Sequence, residues 1–447
     1  MAPRDKIAEK NVRDNHSAWV DKLRGSVDAV VAFVDDKVGW AGAGKCNGYF
    51  RGSYNVSMCV QRGVSDENVL IRFSTFSICP AWRDEKVENE VMAMEYLREH
   101  TSLPIPSIRH WGRTEESPEQ LGPFIIMDYM SGKKLSDIIK QPSDDKSEFL
   151  VLDPEVDEQK LEVTYEQIAG FMLELWRLDF PRIGAVSKDD ASGRWDVTRR
   201  PLTSDMNELV TMAGCPTELY DDMKAFDRAG DFFAAVSKRN IVLKDLELAW
   251  DQYVARRCFE KLEPAYNVAA DDAGPFRLFC DDLRPGNILV DPETLRITAV
   301  LDWEFTNAMP AQFSADVPWW LLLKDPASWV FDDGVQDFRR RFEPRKDQFI
   351  RAVERAEAAP VGGGGGGIPL SARMRDSWDS GRFWFNLAAR SSFDVDDIYW
   401  DSLHKAGMGE AMLGEATLGE KEAFQKRKQE QIDQYLIDVK NDPRLQE

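Results

Sequence analysis

The chain has 447 residues, of which 43% are hydrophobic, and its formal net charge is −21. This length accommodates two or three conventional domains, or one two-lobed enzyme with insertions. Nucleic-acid binders carry a basic surface and anionic membranes attract basic segments, so this acidic chain is expected to bind neither.

The cysteines and histidines form no metal-binding or disulfide pattern. The six cysteines include no Cys-x-x-Cys pair, and the four histidines are scattered. The first residues lack the apolar core of a signal peptide, and the longest apolar stretches, around 27–34 and 317–323, are too short to span a bilayer. We therefore expect a soluble, reduced protein of the cytoplasm, without a zinc site.

The first 130 residues predict a helical extension and then a small α+β domain. Residues 1–44 have an amphipathic helical pattern. Two β-rich runs joined by a turn come next, followed by one helix and one buried strand. These elements cover residues 53–60, 68–73, 84–99 and 123–130. We place this domain at residues 45–130.

The remaining residues, 131–447, predict a larger and mostly helical domain. Helical patterns occupy 165–178 and 217–238, for example, and a charged helix follows Gly419. The exception is the stretch 276–302, in which two short apolar strands follow a polar loop.

Two local compositions stand out in this larger domain. Six consecutive glycines at 362–367 predict a flexible insert between helices. An acidic group near residue 400 is interpreted as a solvated face rather than as a cation-binding site. Its members are Asp394, Asp396, Asp397 and Asp401.

The stretch 276–302 contains the residues that predict chemistry. Asp282 lies in the polar loop, Asn287 follows five residues later, and two strands joined by a turn lead to Asp302. Such a hairpin brings Asp302 back beside Asn287, where an amide oxygen and a carboxylate can hold one Mg²⁺. Phosphoryl transfer needs this pair and a carboxylate that accepts a hydroxyl proton. Asp281 is an alternative base, but the five-residue step to Asn287 favours Asp282.

Residues 279–291 and 300–304 resemble the aminoglycoside phosphotransferase family, which shares a protein-kinase-like fold with the choline kinases. The chain is more narrowly similar to a large fungal branch of phosphotransferase enzyme family proteins. The further matches to that branch are residues 52–55, 101–106, 200–203, 318–322 and 377–378. The resemblance covers approximately residues 45–405.

The resemblance implies an α+β, two-lobed protein-kinase-like fold with ATP between the lobes. The small β-rich N-lobe would be the domain at 45–130. The larger, mostly helical C-lobe would carry the catalytic loop at 280–287 and the metal-binding Asp302.

Residues 48–55 are the predicted nucleotide-covering loop. Gly48 and Gly52 allow backbone N–H groups to approach phosphate, and Ser53 can add a hydroxyl. Residues 39–45 also match part of a P-loop, but Cys46 replaces the metal-binding Ser or Thr and no helical pattern follows. We interpret that segment as a turn.

Arg72 lies in the strand in which kinases place the lysine that binds the nucleotide phosphates. Its expected partner is a glutamate on the helix at 84–99. Glu90 shares the inward face of that helix with Met94 and Leu97, so we predict the pair Arg72–Glu90. The competing glutamates are Glu85, Glu88 and Glu95.

The connection between the lobes is predicted to bind adenine through its backbone. Its residues are Met127, Asp128, Tyr129 and Met130. Two positions depart from the family pattern: Cys280 stands where a histidine is usual, and Arg72 replaces a lysine with a planar, permanently charged group.

The predicted function is ATP- and Mg²⁺-dependent transfer of the γ-phosphate to a hydroxyl of a small molecule. Asp282 would take the proton, Asn287 and Asp302 would bind Mg²⁺, and Arg72 would neutralise the phosphates. One alternative, motivated by the two departures, is a nucleotide-binding pseudokinase with a regulatory or scaffolding role. Another keeps the fold and the metal but transfers a nucleotidyl group to a protein.

Overall fold

The computed structural model describes residues 5–52, 54–65, 67–75, 81–143, 150–242, 249–359, 367–415 and 419–445. Strands and helices alternate in the first part of these ranges, and helices dominate the rest. The strands are β1 (Gly44–Arg51), β2 (Asn55–Arg62), β3 (Asn68–Ser74), β4 (Ile108–Gly112), β5 (Phe124–Asp128), β6 (Lys133–Lys134), β7 (Ala185–Lys188), β8 (Trp195–Arg199), β9 (Arg277–Phe279), β10 (Ile288–Val290), β11 (Ile297–Val300) and β12 (Asn307–Met309).

The helices begin before the first strand and continue to the end of the described chain. They are α1 (Lys6–Gly25), α2 (Val27–Val38), α3 (Arg83–His100), α4 (Leu135–Ile139), α5 (Glu158–Trp176), α6 (Ser204–Ala213), α7 (Ala229–Val242), α8 (Ala249–Tyr266), α9 (Ala311–Ser314), α10 (Pro326–Asp333), α11 (Val335–Ala358), α12 (Leu370–Ser380), α13 (Arg382–Arg390), α14 (Val395–Ile398) and α15 (Lys421–Asn441).

The N-lobe is built on one antiparallel sheet with the strand order β1-β2-β3-β5-β4. Strands β2 and β3 form the predicted hairpin, in which Asn55 pairs with Ser74 and Gln61 pairs with Asn68. The helix predicted at 84–99 is confirmed as α3, and the buried strand at 123–130 is confirmed as β5.

Helices cover both faces of this sheet. Because side chains alternate along a strand, Ile126 of β5 faces α1 and α2, whereas its neighbour Ile125 faces α3. Trp19 of α1 is buried against the first face, and its indole N–H donates to the carbonyl of Leu121 at 2.7 Å. The first two helices therefore form part of the N-lobe core.

The C-lobe contains two small antiparallel sheets that carry the polar loops facing the N-lobe. Strand β10 lies between β11 and β6, and β9 pairs with β12. In the β10–β11 hairpin, Ile288 pairs with Val300 and Leu289 pairs with Ala299. All four side chains are buried, so hydrophobic burial fixes the register of the hairpin.

Helices form the rest of the C-lobe and its aromatic core. Phe385 of α13 is fully buried, and its ring stacks on Phe259 and Tyr266 of α8 at centroid distances of 4.7 and 5.3 Å. The small sheet-rich lobe and the large helical lobe confirm the predicted two-lobed α+β architecture.

The last helix, α15, links the two lobes along the surface. Near its start, Phe424 packs on Tyr253 of α8 at a centroid distance of 4.4 Å. Near its end, the hydroxyl of Tyr435 accepts a hydrogen bond from the main-chain nitrogen of Lys6 at 2.7 Å. Arg444, just beyond the helix, also contacts Asn11 of α1 at 2.9 Å.

One expectation for the C-lobe was wrong, and one strand pair was not predicted. The helix expected at 217–238 is a short 3₁₀ turn (Thr217–Tyr220) and then α7, because Phe226 forms a β-bridge with Ile183 that interrupts the helical pattern. Strands β7 and β8, which the mostly helical pattern did not predict, form an antiparallel pair. Tertiary pairing overrides local helix preference at both places.

Two further expectations concern the glycine run and the membrane. Gly362, Gly363, Gly364, Gly365 and Gly366 lie outside the described residues. Among the residues that are described, none of the helices is both long enough and apolar enough to cross a membrane.

Candidate active site

A cavity of about 760 Å³ lies between the two lobes and is lined by both of them. Most of the predicted site residues contribute to its wall. They are Gly52, Arg72, Met127, Asp128, Tyr129, Met130, Asp282, Asn287 and Asp302. Gly48 is exposed in β1 and does not line the cavity, Glu90 is buried behind Arg72, and Ser53 lies outside the described residues.

The loop at 280–287 runs from β9 to β10 and holds Asp282 and Asn287 in contact. The side-chain amide of Asn287 donates to Oδ2 of Asp282 at 2.6 Å and to its carbonyl oxygen at 3.0 Å. The nitrogen Nε of Arg284 donates to Oδ1 of the same carboxylate. Both oxygens of Asp282 therefore have a fixed direction, with the carboxylate facing the cavity.

The β10–β11 hairpin returns the chain to this loop. The main-chain nitrogen of Leu301 donates to the carbonyl of Asn287 at 2.8 Å. The next residue, Asp302, has a positive φ of 56°, an uncommon conformation for aspartate, which turns the chain sharply as it leaves β11. Asn287 and Asp302 thus line the same cavity, although fifteen positions separate them.

Arg72 lies between two carboxylates. It forms an ion pair with Glu90 of α3 and a second one with Asp302, in which Nη1 and Oδ1 are 2.7 Å apart. Glu85 and Glu88, two of the competing glutamates, pair instead with arginines at 113, 199 and 200. The guanidinium is therefore fixed at the junction of the sheet, helix α3 and the loop after β11.

Burial governs the protonation of the acidic side chains at the cavity floor. Burial, reinforced by the charge of Asp302, raises the pKa of Asp282 to about 6, although Arg284 opposes the shift. Burial also raises the pKa of Asp302, against the attraction of Arg72. The pKa of Asp282 therefore lies closer to neutral pH than that of an exposed aspartate.

A second buried network beside Arg72 was not predicted. Lys86 of α3 forms an ion pair with Glu304, while the side chain of Asn55 donates to Glu304 at 2.8 Å and accepts from Lys86 at 3.0 Å. Burial would raise the pKa of Glu304, but the charges of Lys86 and Arg72 lower it. The sequence contains one indication of this network: Lys86 and Glu90 are four residues apart, so they lie on the same face of α3.

One end of the cavity is acidic, and sequence reasoning missed it. Thr203 caps α6 through a bond from the main-chain nitrogen of Met206, and α6 presents Glu208 to the cavity. Asp394 lies opposite, and burial raises its pKa to about 6. Asp394 is therefore not on a solvated face, which corrects the interpretation of the acidic group near residue 400.

The donor chemistry of the cavity fits a magnesium–nucleotide complex. Asn287 supplies an amide oxygen and Asp302 a carboxylate, and Mg²⁺ typically uses one or two carboxylates together with substrate phosphates. In the described part of the chain, no group of three or more His, Cys, Asp and Glu side chains could hold a metal on its own. The phosphates of a nucleotide would complete this metal site.

The comparison with protein families agrees with this geometry. A sequence model of the phosphotransferase enzyme family matches residues 64–345, more than half of the chain. The chain belongs to the phosphotransferase enzyme family. The resemblance inferred from the catalytic loop and the strand before Asp302 is confirmed.

The chain is also similar, at low sequence identity, to one curated fungal protein and to several solved structures. Clavilactone A biosynthesis cluster protein Y of Ampulloclitocybe clavipes is 28% identical to this chain over 251 residues. The aligned part is 55% of this chain and 55% of that protein, so the chain spans about half of the relative's length. Aminoglycoside phosphotransferase APH(4)-Ia superposes with a TM-score of 0.42 at 15% identity, over 84% of this chain and 99% of that one. The ethanolamine kinase of Plasmodium vivax superposes with a TM-score of 0.37 at 12% sequence identity, over 83% of this chain and 84% of that one. These values are too low to transfer an activity.

Proposed function

We propose that this protein transfers the γ-phosphate of ATP, as its Mg²⁺ complex, to a hydroxyl group of a small molecule. The observation that carries the proposal is the convergence of Asp282, Asn287 and Asp302 at the floor of one interlobe cavity. Membership of the phosphotransferase enzyme family supports the same reaction class.

Each side chain has a distinct role in this proposal. Asp282 orients the acceptor hydroxyl and takes its proton at a carboxylate oxygen. Asn287 and Asp302 hold Mg²⁺, which would neutralise charge on the nucleotide phosphates. Arg72, fixed by Glu90, would neutralise charge on the α- and β-phosphates.

The nucleotide would lie between the N-lobe loop and the connection between the lobes. Gly52 lines the cavity at the end of that loop, and Gly48 and Ser53 are proposed to act with it. The backbone at Met127, Asp128, Tyr129 and Met130 would bind adenine. The rings of Phe50 and Tyr129, whose centroids are 6.2 Å apart, flank the same end of the cavity.

The replacement of histidine by Cys280 does not favour the pseudokinase alternative. The Cys280 thiol is buried, burial raises its pKa, and Sγ lies 3.7 Å from the carbonyl oxygen of Asp302. Cys280 therefore links the catalytic loop to the metal-binding loop as a neutral residue. No carboxylate or amide that the reaction needs is missing.

The proposal is tested by incubating the purified protein with ATP, Mg²⁺ and a metabolite library, and by searching for products that gain the mass of one phosphate. The label of γ-³²P-ATP should appear in the product and that of α-³²P-ATP should not, which separates phosphoryl from nucleotidyl transfer. Chelation of Mg²⁺ should abolish the signal. Tight ATP binding without transfer to any acceptor, water included, would support the pseudokinase instead.

The acceptor end of the cavity leads to an expectation about the substrate. Neither Glu208 nor Asp394 has a cationic partner among the described residues, so an acceptor with an ammonium group would compensate their charge. We expect amino alcohols to be better acceptors than neutral polyols of similar size. Asp394→Asn should raise the KM of an amino alcohol about tenfold and leave that of a polyol nearly unchanged. Equal KM changes for both acceptors would contradict this expectation.

The raised pKa of Asp282 predicts the pH dependence of transfer. A carboxyl group with a pKa of about 6 is protonated below that pH and can no longer accept a proton. We therefore expect kcat/KM for the acceptor to fall about tenfold per pH unit below roughly pH 6. Arg284 lowers this pKa, so Arg284→Gln should move the acidic limb to higher pH. Initial rates measured across roughly pH 5 to 8 would check both expectations.

A further inference from the structure

Tyr54 extends from the end of the nucleotide-covering loop across the cavity to the C-lobe. Its hydroxyl donates a hydrogen bond of 2.7 Å to Oε1 of Glu208 on α6. Both side chains line the cavity, and α6 forms its acceptor end. A residue of the nucleotide-covering segment thus contacts the wall at which an acceptor would bind.

The main chain of Tyr54 is fixed at the same time to the N-lobe sheet. Its carbonyl accepts hydrogen bonds from the main-chain nitrogen of Thr75 at 2.9 Å and from the Thr75 hydroxyl at 3.1 Å. The next residue, Asn55, begins β2 and bonds to Glu304 of the C-lobe. Any movement that lifts the N-lobe away from α6 must therefore break the bond between Tyr54 and Glu208.

The chemistry of the pair makes this a durable contact. Burial, followed by the charges of Glu208, Glu304 and Asp282, raises the pKa of the Tyr54 hydroxyl, so it remains a donor. Burial, with the charges of three nearby aspartates, raises the pKa of Glu208, and the bond from Tyr54 lowers it. A hydrogen bond is stronger in a poorly solvated site than in water, so this contact stabilises the closed arrangement.

We propose that the Tyr54–Glu208 hydrogen bond is a latch that holds the nucleotide-covering loop closed over bound ATP and joins the nucleotide and acceptor ends of the cavity. This inference rests on the proposed function, because it presupposes that the cavity binds ATP. It makes Tyr54 a positioning residue: Tyr54 would not touch the reacting phosphate but would fix the loop that covers it. It also gives the 52–55 motif a physical role.

The latch is tested by measuring nucleotide release, which requires no acceptor. The dissociation rate of a fluorescent, non-hydrolysable ATP analogue with Mg²⁺ is measured by stopped flow in the wild type and in Tyr54→Phe. This substitution removes one hydroxyl and keeps the ring, which packs edge-to-face on Phe305 at 5.6 Å. We expect release to accelerate about tenfold, which corresponds to the loss of one hydrogen bond. Hydrogen exchange of the amides between β1 and β2 in the nucleotide complex should accelerate in parallel.

Four variants separate a latch from a general structural effect. Tyr96→Phe makes the same chemical change on α3 of the N-lobe, outside the cavity, and should release nucleotide at the wild-type rate. Glu208→Ala should accelerate release as much as Tyr54→Phe does, and the double variant should be no faster than either single one. Glu208→Gln, which keeps an acceptor oxygen, should recover part of the slow release.

The outcomes for the latch and for the proposed function differ. Wild-type release rates in Tyr54→Phe, or fully additive effects in the double variant, would overturn the latch while leaving phosphoryl transfer untouched. A wild-type protein that binds no ATP analogue would instead contradict the proposed function.

Discussion

Asp282→Ala is expected to lower the rate of phosphoryl transfer by at least about two orders of magnitude, as removal of other preorganised catalytic groups does. The variant removes the carboxylate that would accept the hydroxyl proton. ATP binding should persist, because Asn287, Asp302 and Arg72 remain. The measurement is kcat with a saturating acceptor, combined with a thermal-shift titration with Mg²⁺ and ATP. Full activity in Asp282→Ala would exclude this residue as the base.

Asp281→Asn is the matched control for that experiment, because the sequence alone left both carboxylates open. The side chain of Asp281 forms an ion pair with the buried Arg390, whose guanidinium lies 5.0 Å from the ring centroid of Phe279. The carboxylate of Asp281 pairs with an arginine of α13, whereas that of Asp282 contacts Asn287, so the loss of Asp281 should cost clearly less activity. The reverse order of effects would identify Asp281 as the base.

Asp302→Ala should cause a loss of at least the same size, about two orders of magnitude, for a different reason. The variant removes the carboxylate ligand of Mg²⁺ and also releases Arg72 from one of its two ion pairs. Unlike Asp282→Ala, it should weaken the stabilisation by ATP that depends on Mg²⁺. The apparent Mg²⁺ affinity, measured from rates at increasing free Mg²⁺, should fall together with kcat.

Asp291→Ala provides the comparison on the same hairpin. Asp291 follows β10 and lies in the turn of the hairpin, at the opposite end from Asp302. Its exposed carboxylate accepts a hydrogen bond from the main-chain nitrogen of Thr294. Loss of that carboxylate should leave the Mg²⁺ dependence unchanged. If both variants changed the Mg²⁺ dependence equally, damage to the hairpin would explain the result and the metal-binding role of Asp302 would be rejected.

The parts of the site that lie close together in sequence were predictable. The spacing of Asp282, Asn287 and Asp302 encodes a loop and a hairpin, and apolar strands with buried side chains leave one register for that hairpin. The pairing of Arg72 with Glu90 followed from helical periodicity, because only one face of α3 is directed at the sheet.

The parts that depend on distant contacts were not predictable. Tyr54 and Glu208 are separated by 154 positions, and Asn55 and Glu304 by 249. No local sequence pattern predicts contacts between residues so far apart. The position of Gly48 relative to the cavity was also not predictable, although it depends on a single strand. The register of β1 against β2 shifts between Cys46 and Tyr49, and the strand continues to Arg51, so Gly52 rather than Gly48 reaches the cavity.

The surface link made by α15 bears on how freely the lobes can rotate. Besides the covalent connection after β5 and the buried contacts of Tyr54, Arg72 and Lys86 with the C-lobe, helix α15 ties the large lobe to α1 of the small one. The polar contacts of Tyr435 and Arg444 in this tie are exposed, and such contacts contribute only about 0–1 kcal/mol each. Thermal motion can break and remake contacts of this strength, so the tie acts as a tether that limits the swing of the lobes without locking them.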